Sequence, residues 1–386
     1  MRILKIFLIV LASLVLVGII GLYATGNKHV LTGLRQTYLL GKSKPDIFDM
    51  KYFDVTTIKA DHPEPWPMHV RYNLMAFSPA DLAFVDSMQT TAFLVFKNDS
   101  LLFEKYFENT DVETTSNSFS MAKSFTSILI GKAIDEGYIK SVDQKVGDFL
   151  PQYASGMDAE LTIKQLLQMS SGIPFGESYS SPMGYMARAY FGKDLPAETF
   201  KYHVEKTPGT YWIYEGGNTV LLGMIVEKAT GRTLSDYFFQ KIWSCIGAEH
   251  DTYWNLDHVG GMEKPYTGVY ATARDYARIG KLYMHEGVWD NDTVISPEFV
   301  RQSLTPCNIP DSTGAPTSWY GYQWWLGEHD GSPLFSARGL RGQYIVVLPK
   351  EKLMLVRIGH EQVKERKNNM PTDLFRYLDI AKSLAQ

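Results

Sequence analysis

The sequence predicts an α+β protein: one antiparallel β-sheet flanked by helices, with a mostly helical lobe inserted into it. Three observations carry this. Residues 91–96 (TAFLVF) and 101–107 (LLFEKYF) are apolar, β-prone runs joined by the turn Lys97-Asn98-Asp99-Ser100, the pattern of a hairpin. Four further β-type runs stand near the other end, at 320–326, 332–337, 343–348 and 353–358. Between them, about 140–310 reads as helical pieces and loops. Strands at both ends of a helical stretch imply a single sheet closed across an insertion.

The elements follow in order. Arg2 and Lys5 precede an apolar run from 6 to 23, broken only by Ser13, Gly18 and Gly21. A hydrocarbon core of about 30 Å needs about 20 apolar residues, whereas a secretory signal core is about 7–15. The run ends in Leu22-Tyr23-Ala24-Thr25-Gly26, a poor cleavage site, and no cysteine follows it for lipid attachment. Residues 1–26 are therefore expected to be a membrane anchor rather than a cleaved signal. The N-terminus should lie inside and the rest of the chain outside the cytoplasm, although Lys28, Arg35, Lys42 and Lys44 weigh against that orientation. Residues 27–88 contain Lys44-Pro45, His62-Pro63, Glu64-Pro65 and Trp66-Pro67. Residues before proline avoid helix, so an extended linker or N-terminal extension on the domain surface is expected here. A domain spanning 89–386 follows. Its first helix starts at Ser120, with Met121, Phe125, Ile128, Leu129, Ala133 and Ile134 at helical spacing and Gly137 as its stop. Further helices are expected at 163–169, 219–229, 234–242, 273–285 and 297–303, and a last one at 371–384.

Bulk properties narrow the function. The 386 residues are 45% hydrophobic, enough for one large domain or two medium ones. A net charge of −4 supplies no basic surface for nucleic acid, and 13% aromatics argue against disorder. The two cysteines, Cys245 and Cys307, lie outside any CxxC pattern; they are either one disulfide or two core thiols.

Chemistry concentrates at Ser120-Met121-Ala122-Lys123. At i and i+3 of one helix, Ser120 and Lys123 share a face. A serine hydroxyl needs a base to become a nucleophile. A lysine serves as that base when burial or a nearby positive potential brings its pKa toward neutral. The helix N-terminus supplies such potential and free N–H groups for an oxyanion.

The wider layout resembles a known family over about 90–359. Its pieces occur in order: the hairpin; Ser120-Met121-Ala122-Lys123-Ser124-Phe125-Thr126-Ser127; Val142-Asp143 through Val146-Gly147-Asp148-Phe149-Leu150-Pro151; Thr162-Ile163 to Leu166-Leu167; and Met169-Ser170-Ser171-Gly172. Pro208-Gly209-Thr210 through Tyr214 and Gly217-Asn218, Thr272-Ala273-Arg274-Asp275, and Gly342-Gln343-Tyr344 through Leu348-Pro349 complete the set. The chain is similar to the serine penicillin-recognising hydrolases: class C β-lactamases, penicillin-binding-protein-like carboxypeptidases and esterases, and 6-aminohexanoate-oligomer hydrolases. The resemblance implies a β-lactamase/transpeptidase-like fold, Ser120 as nucleophile, Lys123 as base and Tyr214 as a proton relay to the leaving group.

The chain also departs from that pattern. Penicillin-active members carry Tyr-x-Asn where this chain reads Tyr214-Glu215-Gly216, and Asn218 is the amide remaining nearby. The strand motif Lys/His-Thr/x-Gly is replaced by Ser336-Ala337-Arg338-Gly339. Gly339 still lets substrate approach the backbone, and an N–H near Gly339 or Leu340 would join that of Ser120 in an oxyanion hole. Arg338 or Arg341 is either a bidentate carboxylate binder or a surface arginine. The departures suit an esterase or amide hydrolase acting on a small or peptide-like substrate. The aromatic run 318–325 (SWYGYQWW) is either a strand packing both faces or a wall of the pocket. GxSxG, HExxH and GxxxxGK[ST] are absent, so neither a metal nor a nucleotide cofactor is implied. The rival readings are a tethered, non-catalytic binding protein of the same fold and a D-alanyl carboxypeptidase-like enzyme.

Overall fold

The computed structural model describes residues 1–42 and 44–386. Its main sheet has six antiparallel strands. The hairpin β1 (Thr90–Lys97) and β2 (Ser100–Tyr106) comes from early in the chain; β3 (Trp325–His329), β4 (Ser332–Gly339), β5 (Gln343–Leu348) and β6 (Leu353–Gly359) come from late in it. The order is β2-β1-β6-β5-β4-β3. The join between the two chain segments is the β1–β6 ladder, with Val95 opposite Leu355.

Five helices frame the sheet, the site and the N-terminus: α1 (Arg2–Ala24), α2 (Met121–Asp135), α3 (Gly216–Thr230), α4 (Ala273–Met284) and α5 (Thr372–Ala385). Alternation along the strands divides the core in two. Leu94, Phe96, Ile345, Val347 and Val356 face α2 and α4, with the helical lobe beyond. Phe93, Val95, Val346 and Leu355 face α5, which covers them with Leu374, Tyr377, Leu378 and Ala381. α4 comes so close to the sheet that a Cβ on Gly280 would stand 2.4 Å from Met354 Sδ. α2 runs through the middle of the molecule, and Met121 through Gly131 are all buried. A helix buried all round reads as an apolar run and loses its amphipathic stripe.

Three expectations need correcting. Residues 27–88 are not an extended linker. They hold a helix at His29–Gln36, a strand at Val55–Ile58 and a helix at Pro79–Ser87. The strand pairs with Thr252–Asn255 in a second, four-stranded sheet that also contains Val269–Ala271 and Ser116–Asn117. Trp66 is buried against Phe96 at 4.4 Å between ring centroids and donates its indole N–H to Arg274 O. The prolines correctly exclude helix around 63–67 but say nothing about what that segment packs on. Secondly, the run at 320–326 is strand only from Trp325; Gln323 has φ +63°, and the preceding residues turn. Thirdly, the cysteines are neither bridged nor both in the core: both are free and Cys245 is exposed. Within the helical lobe, the stretch 178–206 folds into two short helices, Tyr185–Phe191 and Leu195–Thr199.

α1 is long and apolar enough to cross a membrane, and none of its residues is buried in the protein.

Candidate active site

Ser120 sits immediately before α2, on a loop held from three sides. Asn117 Oδ1 accepts the N–H of Phe119 and of Gly268. Ser118 donates its N–H to Val269 O and accepts the Val269 N–H on Oγ. Phe119, which is buried, adopts φ +42°. A bulky residue in that region stores backbone strain and persists only where its surroundings enforce it. The strain falls one residue before the hydroxyl it aims.

Lys123, one turn along α2, is 1% exposed. Its Nζ lies 3.0 Å from Ser120 Oγ and 3.2 Å from Tyr266 O. It also lies 5.0 Å from the ring centroid of Tyr214 and 5.5 Å from that of Tyr266. No carboxylate pairs with Lys123 among the described residues. Three hydroxyls of α2 lock the loops around this pair: Ser124 donates to Gln323 O, Thr126 to Pro265 O and Ser127 to Tyr322 O.

Tyr214 reaches the site from the segment leading into α3. Its ring packs at 5.3 Å from Trp325 and 6.2 Å from Tyr320, and Trp212 closes the cluster at 5.5 Å from Tyr320. Tyr320 and Trp325 therefore wall the site, while Trp324 turns into the core, 4.3 Å from Tyr283. The run is thus no strand packing both faces: its rings divide between the Tyr214 cluster and the core.

Gly339 ends β4 beside the loop that carries Ser120. A Cβ there would stand 2.2 Å from Ser118 O, so only glycine permits the approach. Leu340 follows, half-buried, its carbonyl accepting from Gln343. Neither the Ser120 nor the Leu340 N–H donates to the protein among the described residues.

Asn218 and Arg338 lie elsewhere than the sequence suggests. Asn218 is 0% exposed, within the first turn of α3, with its amide on Met169 Sδ, so it does not face the opening. Arg338 is 7% exposed; its guanidinium lies 3.8 Å from the Trp325 ring centroid and donates to Asn369 O. Stacked there, it supports the aromatic wall and is not placed for a bidentate grip in the opening.

Sequence reasoning missed several site residues. Tyr266, whose carbonyl receives Lys123, sits in the irregular stretch 256–268 and carries no periodic signal. Glu215 and Glu177 clasp each other's backbones: the Gly176 N–H donates to Glu215 and the Gly216 N–H to Glu177. Burial pushes the Glu215 carboxyl up to about 7, reinforced by the Glu177 charge and opposed by the Gly176 N–H. Lys264 is fully enclosed, donates to Tyr190 O and stands over the Phe53 ring; burial brings its amine down to about 7. Gln323 ties the site to the lobe through Leu166 O, Leu167 O and Thr219. A surface cavity of about 730 Å³ runs along β3, lined in part by Trp319, Glu328 and Met370, and does not reach Ser120. His329, Asp330 and Asp379 bring three donor atoms together beside β3, but Lys382 already pairs with Asp330.

The fold and the site together define a serine hydrolase. The chain belongs to the family described as Beta-lactamase, whose model matches residues 83–373. It is 27% identical over 293 residues to the 6-aminohexanoate-dimer hydrolase of Paenarthrobacter ureafaciens, covering 70% of this chain and 72% of the relative. It is 25% identical over 309 residues to penicillin-binding protein 4 of Amycolatopsis lactamdurans, covering 69% and 76%. A provisionally named 6-aminohexanoate-dimer hydrolase from Bacillus anthracis has the same fold, with a TM-score of 0.71 at 23% identity over 87% of this chain and 92% of that one.

Proposed function

We propose that the protein hydrolyses an ester or amide through an acyl-enzyme on Ser120, on the outer side of a membrane in which α1 is its anchor. The observation that carries this is the buried Lys123–Ser120 contact at 3.0 Å, with no carboxylate among the described residues to tie up the amine. Lys123 takes the Ser120 proton as Oγ attacks the carbonyl. The N–H groups of Ser120 and Leu340, without partners among the described residues, receive the developing oxyanion. Tyr214, whose ring lies beside Lys123, passes the proton to the leaving oxygen or nitrogen, which departs to leave the Ser120 ester. Water then attacks that ester, with Tyr214 removing its proton, and Ser120 is regenerated.

The name of the Paenarthrobacter relative points to the amide branch. Gly216 in place of the asparagine, with Asn218 turned inward, removes the side-chain amide that penicillin-active relatives carry, and argues against β-lactams.

The test is intact-protein mass spectrometry and turnover on the full chain in detergent. Activated esters, a nitroanilide amide and a penicillin would be compared with Ser120→Ala. An acyl adduct or turnover that vanishes in the variant is expected. Full activity retained by Ser120→Ala would remove Ser120 as nucleophile. A folded wild-type chain that neither acylates nor turns over any probe would favour the binding-protein reading.

A further inference from the structure

The segment just beyond α1 carries an unusual surface. Four residues, 25–28, separate α1 from the helix His29–Gln36. They span at most about 14 Å, so this helix is held near the membrane surface wherever α1 spans it. Leu34, Tyr38, Leu39 and Leu40 are all exposed, Leu39 at 78%. Lys28 and Arg35 are exposed beside them, and no carboxylate pairs with either among the described residues. Apolar side chains flanked by free cations, continuous with a membrane-spanning segment, match the headgroup layer of an anionic bilayer.

The opposite face of this helix is not free. His29 Nε2 lies 2.8 Å from Pro182 O, Arg188 donates to Asn27 Oδ1 at 2.7 Å, and a Cβ on Gly33 would stand 3.2 Å from the Phe191 ring. The helix is thus clamped to 182–191, the stretch that borders the site. Met186 and Tyr266 pack against Gly216, and the Tyr266 carbonyl receives Lys123. Pro182 is five residues from Glu177, which holds the Gly216 N–H; that is at most about 18 Å of chain. Packed contacts therefore run without a gap from the anchor junction to the catalytic lysine.

We propose that residues 28–40 form an interfacial docking element. Their apolar side chains seat in the headgroup layer of an anionic bilayer and hold the catalytic opening close to that surface, which suits an ester or amide presented on the membrane. The proposal rests on the reading of α1 as a membrane anchor.

The experiment uses the full chain in vesicles of phosphatidylglycerol and phosphatidylethanolamine. With Cys245→Ser and Cys307→Ser as background, a bimane label is placed at Leu39→Cys or, as control, at the exposed Met157→Cys. Acyl-brominated lipids should quench the Leu39 label several-fold more than the Met157 label. Leu34→Asp with Leu40→Asp should abolish that difference. The same pair should lower turnover of a lipid-borne ester several-fold while leaving turnover of a soluble ester unchanged. Equal quenching at both labels in a chain that resists alkaline extraction overturns the docking element and spares the anchor. Release of the chain by alkaline extraction overturns the anchor itself. Protection of the label that depends on protein density but not on bromination assigns the patch to a second copy and overturns the proposal. Unchanged lipid-ester turnover in the double variant overturns the link to the site.

Discussion

At the scale of single residues, the site combines a strained backbone with buried charge. Phe119 at φ +42° sets the direction of Ser120, and Lys123 is delivered from below by its own helix. Lys123→Ala should lower kcat about 10²–10⁴-fold, the usual worth of a general base, with little change in KM; steady-state kinetics on an ester checks this. Two other buried groups make stability depend on pH. The Glu215 carboxyl is raised from 4.5 to about 7 in the fold, so its ionisation opposes folding. Its contribution is favourable below pH 4.5 and is lost as pH rises to 7. Lys264 is lowered from 10.5 to about 7, so the folded state loses its proton first and stability recovers from pH 7 to 10.5. Glu215→Gln keeps a carbonyl for the Gly176 N–H and should raise Tm at pH 8 by about 1–3 °C, from roughly 1–2 kcal/mol. Lys264→Met should raise Tm at pH 6 and flatten its rise toward pH 10. Scanning fluorimetry across pH 4–10 reads both.

At the scale of elements, the site exists because three of them meet end to end: the start of α2, the end of β4 and the segment entering α3. Gly339→Ala would set a Cβ against Ser118 O, where the obstacle is backbone and cannot rotate away. The strand end must move off the nucleophile loop, and kcat/KM should fall at least about 10-fold with a Tm loss of a few degrees, since overpacking costs about 1–3 kcal/mol. A Gly223→Ala change meets a Pro265 side chain instead, at 2.7 Å, and should alter Tm more than kcat. α2 is legible in sequence because an apolar run follows a serine at its head, and β4 because a β-type run ends at a glycine. The short helices Tyr185–Phe191 and Leu195–Thr199 are not legible, being shorter than two helical turns and set by what they pack against.

At the scale of the whole molecule, the sheet joins chain segments more than 200 residues apart, and the N-terminal extension completes a second one. Val55–Ile58 pairs with Thr252–Asn255, and Asp54 O accepts the Leu256 N–H. Deleting 1–60 should lower Tm by about 5 °C or more and reduce activity, because that strand backs the stretch leading to Lys264 and Tyr266. Deleting 1–26 should leave the Tm of the remaining chain within about 2 °C, since no residue of α1 is buried in the protein. Scanning calorimetry on the two truncations separates a structural extension from a dispensable linker.

Local signals in the sequence determined the architecture and the heart of the site. Apolar, β-prone runs bounded by turns marked the strands, and an apolar N-terminal run marked α1. A serine and a lysine three residues apart, at the head of an apolar helix, marked the pair that the fold buries in contact. Those properties depend on neighbours within a turn or a strand, and local order exposes them. Which side chains lie at the opening was decided only by tertiary packing. Asn218 is turned into the core by its place in α3, Arg338 is drawn beneath Trp325, and Tyr266 is brought to Lys123 from 143 residues away. Burial, and with it the direction in which Glu215 and Lys264 titrate, is a property of the closed molecule, because desolvation comes from segments that no local pattern connects.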